Sequence, residues 1–178
     1  FYQAEAVQAV RNITSISIFD LNSEKSHILK AKLQSIFSAT ITISDTIETA
    51  AQSADIICTT TPSKTPILSL AQLKKPVHIN AMGADGPGKQ ELDLSILKQA
   101  TIVVDDWEQA SHSGEINIPL HTSELHQSDI LGNLGAIITK DIFLDCSKAI
   151  SIFDSTGLAA QDLALLNYVY KKATQNIG

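Results

Sequence analysis

Short apolar runs alternate with amphipathic stretches along the whole chain. Ser15-Ile16-Ser17-Ile18-Phe19 reads as a strand ending at Asp20. Residues 23–37 carry Ile28, Leu29, Leu33, Ile36 and Phe37 at helical spacing, which predicts a helix with those five on one face. Ile41-Thr42-Ile43 is a short strand. Asp45, with Glu48 three residues on, predicts a capped helix start. Asp55-Ile56-Ile57-Cys58-Thr59 and Val77-His78-Ile79-Asn80-Ala81 read as strands. A helix over 91–99 leads into the strand Thr101-Ile102-Val103-Val104-Asp105. Residues 106–148 are less regular and read as mostly helical. Ile150-Ser151-Ile152-Phe153 is the last strand, and 158–175 a closing helix capped by Ser155 or Thr156.

Strands separated by helices need parallel crossovers. The fold class is therefore α/β: a doubly wound, mostly parallel sheet with helices on both faces. Such a fold opens with a strand and a glycine-rich turn. Here residues 3–10 already read as the first helix, so the first strand and glycine turn are expected to precede Phe1.

Composition narrows the class. The 178 residues fit one domain, and an apolar share of 44% can supply its core. The net charge of −6 argues against nucleic acid or an anionic membrane as partner, since both attract basic surfaces. No apolar stretch approaches the ~18 residues of a membrane span. Cys58 and Cys146 form neither a C-x-x-C pair nor a zinc spacing. Cys58 is expected in the core, and the setting to be reducing and cytoplasmic.

Candidate chemistry sits at the predicted strand ends, where ligands of open α/β sheets bind. Asp20 has the position of an acid that grips an adenosine ribose. It would repel a 2′-phosphate by about 4 kcal/mol at 4 Å and an effective dielectric near 20, which favours NAD over NADP. It serves equally as a helix-capping acid. Thr59-Thr60-Thr61-Pro62-Ser63 offers hydroxyls and amides to a ribose or phosphate, or is a polar turn. In His78–Lys89 a strand runs into a turn with three glycines, which let backbone approach a flat ring. Asp85 in that turn faces a ligand or simply forms the turn. Phe153-Asp154-Ser155-Thr156-Gly157 opens a helix, suited to polar ligand groups or to capping. His78 reads as a satisfied strand histidine, while His27, His112, His121 and His126 read as solvated. No metal-ligand spacing and no G-x-S-x-G elbow is present.

Together these segments resemble the ornithine cyclodeaminase / mu-crystallin family. The resemblance lies in Ala54–Ser63, His78–Leu92, Val104-Asp105-Asp106, Gly114-Glu115-Ile116 and Phe153–Asp162, in family order. It implies a Rossmann-like NAD(P)-binding domain over 1–156, with 157–178 returning toward a substrate and dimerisation domain absent from this chain. It implies cofactor contacts from Gln3, Asp20, Thr59, Thr60, Thr61, Pro62, Ser63, Met82, Gly83, Ser155, Thr156 and Gly157, and Asp85 as catalytic acid/base. Gln3-Ala4 matches the end of the family's glycine motif, and Phe1 stands where a glycine is expected. The implied activity is hydride transfer at a carbon bearing nitrogen: ornithine to proline plus ammonia, or a related imine reductase or amino-acid dehydrogenase reaction. A small amino-acid or imine substrate, NAD and a homodimer follow. The alternatives are a mu-crystallin-like binding protein without turnover, or an inactive fragment.

Overall fold

The computed structural model describes residues 1–143 and 147–175, so Cys146 lies outside the described residues. The order is α1 (Tyr2–Val10), β1 (Ser15–Ile18), α2 (Ser23–Gln34), β2 (Thr40–Ile43), α3 (Ile47–Ala51), β3 (Ile56–Thr59) and β4 (Val77–Ala81). It continues with α4 (Leu94–Gln99), β5 (Ala100–Val104), α5 (Trp107–Ser113), α6 (Asn117–His121), β6 (Ile130–Asn133), α7 (Leu134–Ile138), β7 (Ile150–Asp154) and α8 (Ala159–Gln175). The fold is α/β with helices on both faces of parallel sheet, as the alternation requires.

The strands form two sheets. β1 pairs with β2, and the other five run β3-β4-β7-β5-β6, with every pairing parallel. The last strand, β7, lies between β4 and β5. One face of the larger sheet carries the main core, with Val77, Ile79 and Ala81 of β4 and Ile150 and Ile152 of β7 buried. The other face carries His78, Asn80 and Ser151, whose side chains bond to one another: His78 Nδ1 to Ser151 Oγ at 2.8 Å and Nε2 to Asn80 Oδ1 at 3.1 Å. β5 is buried along its whole length, the pattern of a strand covered on both sides. A smaller core of Ile18, Leu33 and Ile41 holds α1, α2, β1 and β2 together.

Several local expectations change. On α2, Leu33 is buried, but Ile28 stays exposed because a two-stranded sheet covers a narrow stripe of helix; the helix stops at Gln34, and Ile36, in the turn after it, is exposed too. The cap of α3 is Thr46, which accepts from Thr49 N at 3.0 Å; Asp45 does not cap it. Helix α4 begins at Leu94 under Asp93, because Leu92 is extended and bridges Leu68. Within 106–148 a strand, β6, joins the sheet; its four residues include Gly132 and a register shift, which erase any period. Cys58 is exposed on the more open sheet face and does not join the core. Neither Ser155 nor Thr156 caps α8: the Ser155 hydroxyl donates to Asp105, and Thr156 Oγ1 is buried without a partner. Along α8 the side chains of Leu163, Leu165, Leu166, Tyr168, Val169 and Tyr170 are exposed.

Candidate functional site

The carboxyl ends of β3, β4, β5 and β7 converge on one rim. Thr59 closes β3, and its carbonyl accepts from Met82 N at 3.0 Å just beyond β4. Ala81 closes β4, and its carbonyl accepts from Ser155 N at 3.0 Å beyond β7. Parallel register thus brings the Thr59–Ser63 loop, the Met82–Asp85 turn and the Ser155–Gly157 loop side by side. Thr59 Oγ1 and Thr156 Oγ1 are both buried at this rim with no hydrogen-bond partner. Ser26 Oγ on α2 is likewise buried without a partner, but only the two threonine hydroxyls lie at the strand ends, where they are available to a polar group.

Gly83 is where the turn comes closest to its neighbours. A Cβ there would overlap Thr61 O and the Glu91 carboxylate, so only glycine fits. Asp85 follows, exposed, with its carboxylate paired to Lys89 Nζ. That hydrogen bond from Lys89 is the main cause holding the Asp85 pKa below the usual carboxylate range. The turn is pinned from below by buried Asn117, which accepts from Gly88 N at 3.2 Å and donates to Lys89 O at 3.0 Å.

Beneath the rim lie four buried carboxylates, each engaging backbone amides. Glu91 accepts from Thr61 N at 2.6 Å and Gly83 N at 3.1 Å. Glu115 accepts from Glu91 N at 2.8 Å and from Leu92 N. Asp154 accepts from Glu115 N at 3.0 Å and Ile116 N at 3.3 Å. Asp105 accepts from Thr156 N at 2.8 Å, Gly157 N at 2.9 Å and Ser155 Oγ at 2.9 Å. Burial first, with the neighbouring acids adding, pushes Glu115 up to about 8 and Asp154 up to about 7; the amide bonds oppose both shifts. Among the described residues no group of acids, histidines or cysteines is arranged to hold a metal.

The remaining expected residues divide. Gln3 and Met82 line one open groove of about 410 Å³ between α1 and the sheet. Thr60 and Pro62 are exposed on the β3 loop, and Ser63 Oγ donates to Thr65 O within it. Asp20 stands apart on the smaller sheet, exposed, and accepts from Asn22 N at 2.7 Å. The helix cap there is Asn22, accepting from Glu24 N and Lys25 N, so Asp20 is free of that duty. Sequence reasoning gave no role to Lys89, Glu91, Asp105, Glu115, Asn117 or Asp154. The available signal was an acid set among apolar neighbours, as in Glu91-Leu92 and Glu115-Ile116.

Comparison with known proteins agrees with this architecture. The model of the ornithine cyclodeaminase/mu-crystallin family matches residues 1–176. The alanine dehydrogenase of Archaeoglobus fulgidus is 40% identical over 183 residues, covering 100% of this chain and 55% of that protein. A delta(1)-pyrroline-2-carboxylate reductase of Bacillus cereus is 33% identical over 175 residues, covering 97% of this chain and 54% of its own. The chain thus spans about half the length of the curated relatives it matches. A solved archaeal alanine dehydrogenase dimer with bound NAD superposes with a TM-score of 0.93 at 36% identity, covering 99% of this chain and 55% of that one. On the family match and these identities, the chain belongs to the ornithine cyclodeaminase/mu-crystallin family.

Proposed function

We propose that this chain is the NAD-binding part of an oxidoreductase acting on a small amino acid or imine, with Asp85 as its acid/base. The observation that carries the reading is the placement of Asp85. It follows Gly83 in the turn beyond the carboxyl end of β4, exposed, with its carboxylate paired to Lys89, which holds its pKa below the usual range. A solved relative with bound NAD and relatives named for alanine dehydrogenation and imine reduction support it.

The residues present fit such a cofactor. Thr59 and Thr156 supply unspent hydroxyls to ribose or phosphate oxygens, and Gly83 admits close approach of a flat ring. Ser155 and Gly157 are held by Asp105, so they present the β7–α8 loop in one conformation. Gln3 and the Thr60–Ser63 segment complete the wall, and Asp20 takes the ribose hydroxyls, which favours NAD over NADP. When bound, NAD accepts or donates the hydride at the carbon bearing nitrogen. Asp85 exchanges a proton with the substrate nitrogen, or with an attacking amine where ornithine is cyclised. Residues 1–156 form the NAD-binding unit, and α8 with its exposed leucines and tyrosines leads into a homodimer like that of the archaeal relative.

The test is Asp85→Asn in the complete polypeptide, assayed with alanine, ornithine, lysine and cyclic imines. Turnover should fall by on the order of 10²-fold or more while NADH binding stays unchanged. Near-normal turnover would return Asp85 to a turn former, and tight NADH binding with no turnover of any substrate by the unmodified protein would favour a carrier.

A further inference from the structure

Glu91 occupies a singular place. It is fully buried, and its two carboxylate oxygens reach amides from different loops, Thr61 N after β3 and Gly83 N after β4. The ladder between the two strands ends at Thr59 and Ala81, and one backbone bond, Met82 N to Thr59 O, follows it; beyond that bond the Glu91 carboxylate joins Thr61 to Gly83. The bridge is tight, since Gly83 leaves no room for a Cβ against Thr61 O and Glu91 itself. Glu91 is in turn seated by its own amide, which donates to Glu115, and Glu115 is seated by its amide donating to Asp154. Asp154 ends β7, where Asp105 N donates to its carbonyl at 3.0 Å and Asp105 gathers the Ser155–Gly157 loop. The sequence runs from the β3 and β4 loops to the β7–α8 loop without a basic side chain ion-paired to any of the four acids among the described residues.

We propose that Glu91 is a positioning residue whose carboxylate clamps the β3 and β4 loops in one register, and thereby fixes the Gly83–Asp85 turn in the NAD site. The proposal rests on the reading above that this rim takes NAD. A carboxylate offers acceptors on both oxygens, whereas a carboxamide offers one and presents an N–H₂ donor to the other amide. Glu91→Gln therefore releases one loop while keeping the side chain's shape. Glu115 and Asp154 act through Glu91, and Glu91 acts through Gly83 on Asp85, so none of the three touches substrate.

The experiment uses the complete polypeptide and NADH as probe. Glu91→Gln should weaken NADH binding by at least about tenfold and lower kcat together with kcat/KM, as expected when a charge-assisted hydrogen bond is lost. Leu125→Ala, which truncates a buried core side chain away from the rim, serves as the control for simple destabilisation. It should lower the unfolding temperature yet leave NADH binding within about twofold. Equal effects of the two variants on binding, or no effect of Glu91→Gln, would overturn the clamp. Amide hydrogen exchange of the unmodified protein decides the matter even where the variant does not fold. A shared clamp makes Thr61 and Gly83 open together, with protection equal to within about threefold, and unrelated exchange rates would refute it. Failure of the unmodified protein to bind NADH would overturn the functional reading, and the exchange result would still decide the clamp.

Discussion

Raising the pH from mildly acidic to mildly alkaline should destabilise this protein through Glu115. Its carboxyl is displaced from the ordinary 4.5 to about 8, first by burial and then by the nearby acids. A carboxyl whose folded pKa exceeds its unfolded value binds more protons folded than unfolded between those two values. Stability therefore falls as pH rises through that interval, and the loss is complete above the folded value. Asp154, pushed up to about 7, acts in the same direction over a shorter range. His78, lowered by burial, works in the opposite sense but only below its ordinary 6.5. From about pH 6.5 to about pH 8.5 these carboxyls are the shifted groups that titrate among the described residues, and Glu115 by itself accounts for roughly 2 kcal/mol at about 1.4 kcal/mol per unit. For a chain of this size that corresponds to a fall in Tm of about 4–8 °C. The assay is thermal unfolding followed by circular dichroism across that range, for the unmodified protein and for Glu115→Gln. Glutamine is neutral at every pH, so the variant should start less stable through its poorer acceptance of the Leu92 and Glu91 amides, and its slope should flatten. A Tm that is level or rising with pH, or an unchanged slope in Glu115→Gln, would refute the reasoning.

Two further outcomes follow from the rim and a third from Asp20. Lys89→Met removes the hydrogen bond that holds Asp85 below the carboxylate range, so the acidic limb of the kcat/KM–pH profile should move to higher pH; an unmoved limb would dissociate Lys89 from the acid/base. Gly83→Ala forces a methyl group against Thr61 O and Glu91, and should cost about 1–3 kcal/mol in denaturant unfolding while weakening NADH binding; wild-type values for both would show that the turn has slack. Asp20→Ser should narrow the preference for NADH over NADPH in fluorescence titrations, because it removes the charge that repels a 2′-phosphate; an unchanged preference would remove Asp20 from the ribose.

The apolar spacing alone determined that this is a parallel α/β chain. Ala100–Val104 is too apolar and too short for a surface helix, Val77–Ala81 alternates with the two-residue period of a strand, and the helices between such runs enforce parallel crossovers. Local motifs likewise marked Thr59–Ser63, Gly83, Asp85 and Ser155–Gly157, because glycines and hydroxyls after an apolar run signal a strand end whatever the topology. The sequence could not show that β7 enters between β4 and β5, since strand order is set by which apolar faces find each other across long separations. That insertion brings Asp154 beside Glu115 and Thr156 beside Asp105, residues 39 and 51 positions apart. β6 was missed because a glycine and a register shift break the two-residue period in a four-residue strand. The roles of Glu91, Glu115 and Asp154 were hidden for a related reason. Their partners are backbone amides, and an amide has no signature in the sequence until tertiary contact decides which ones are left without a carbonyl.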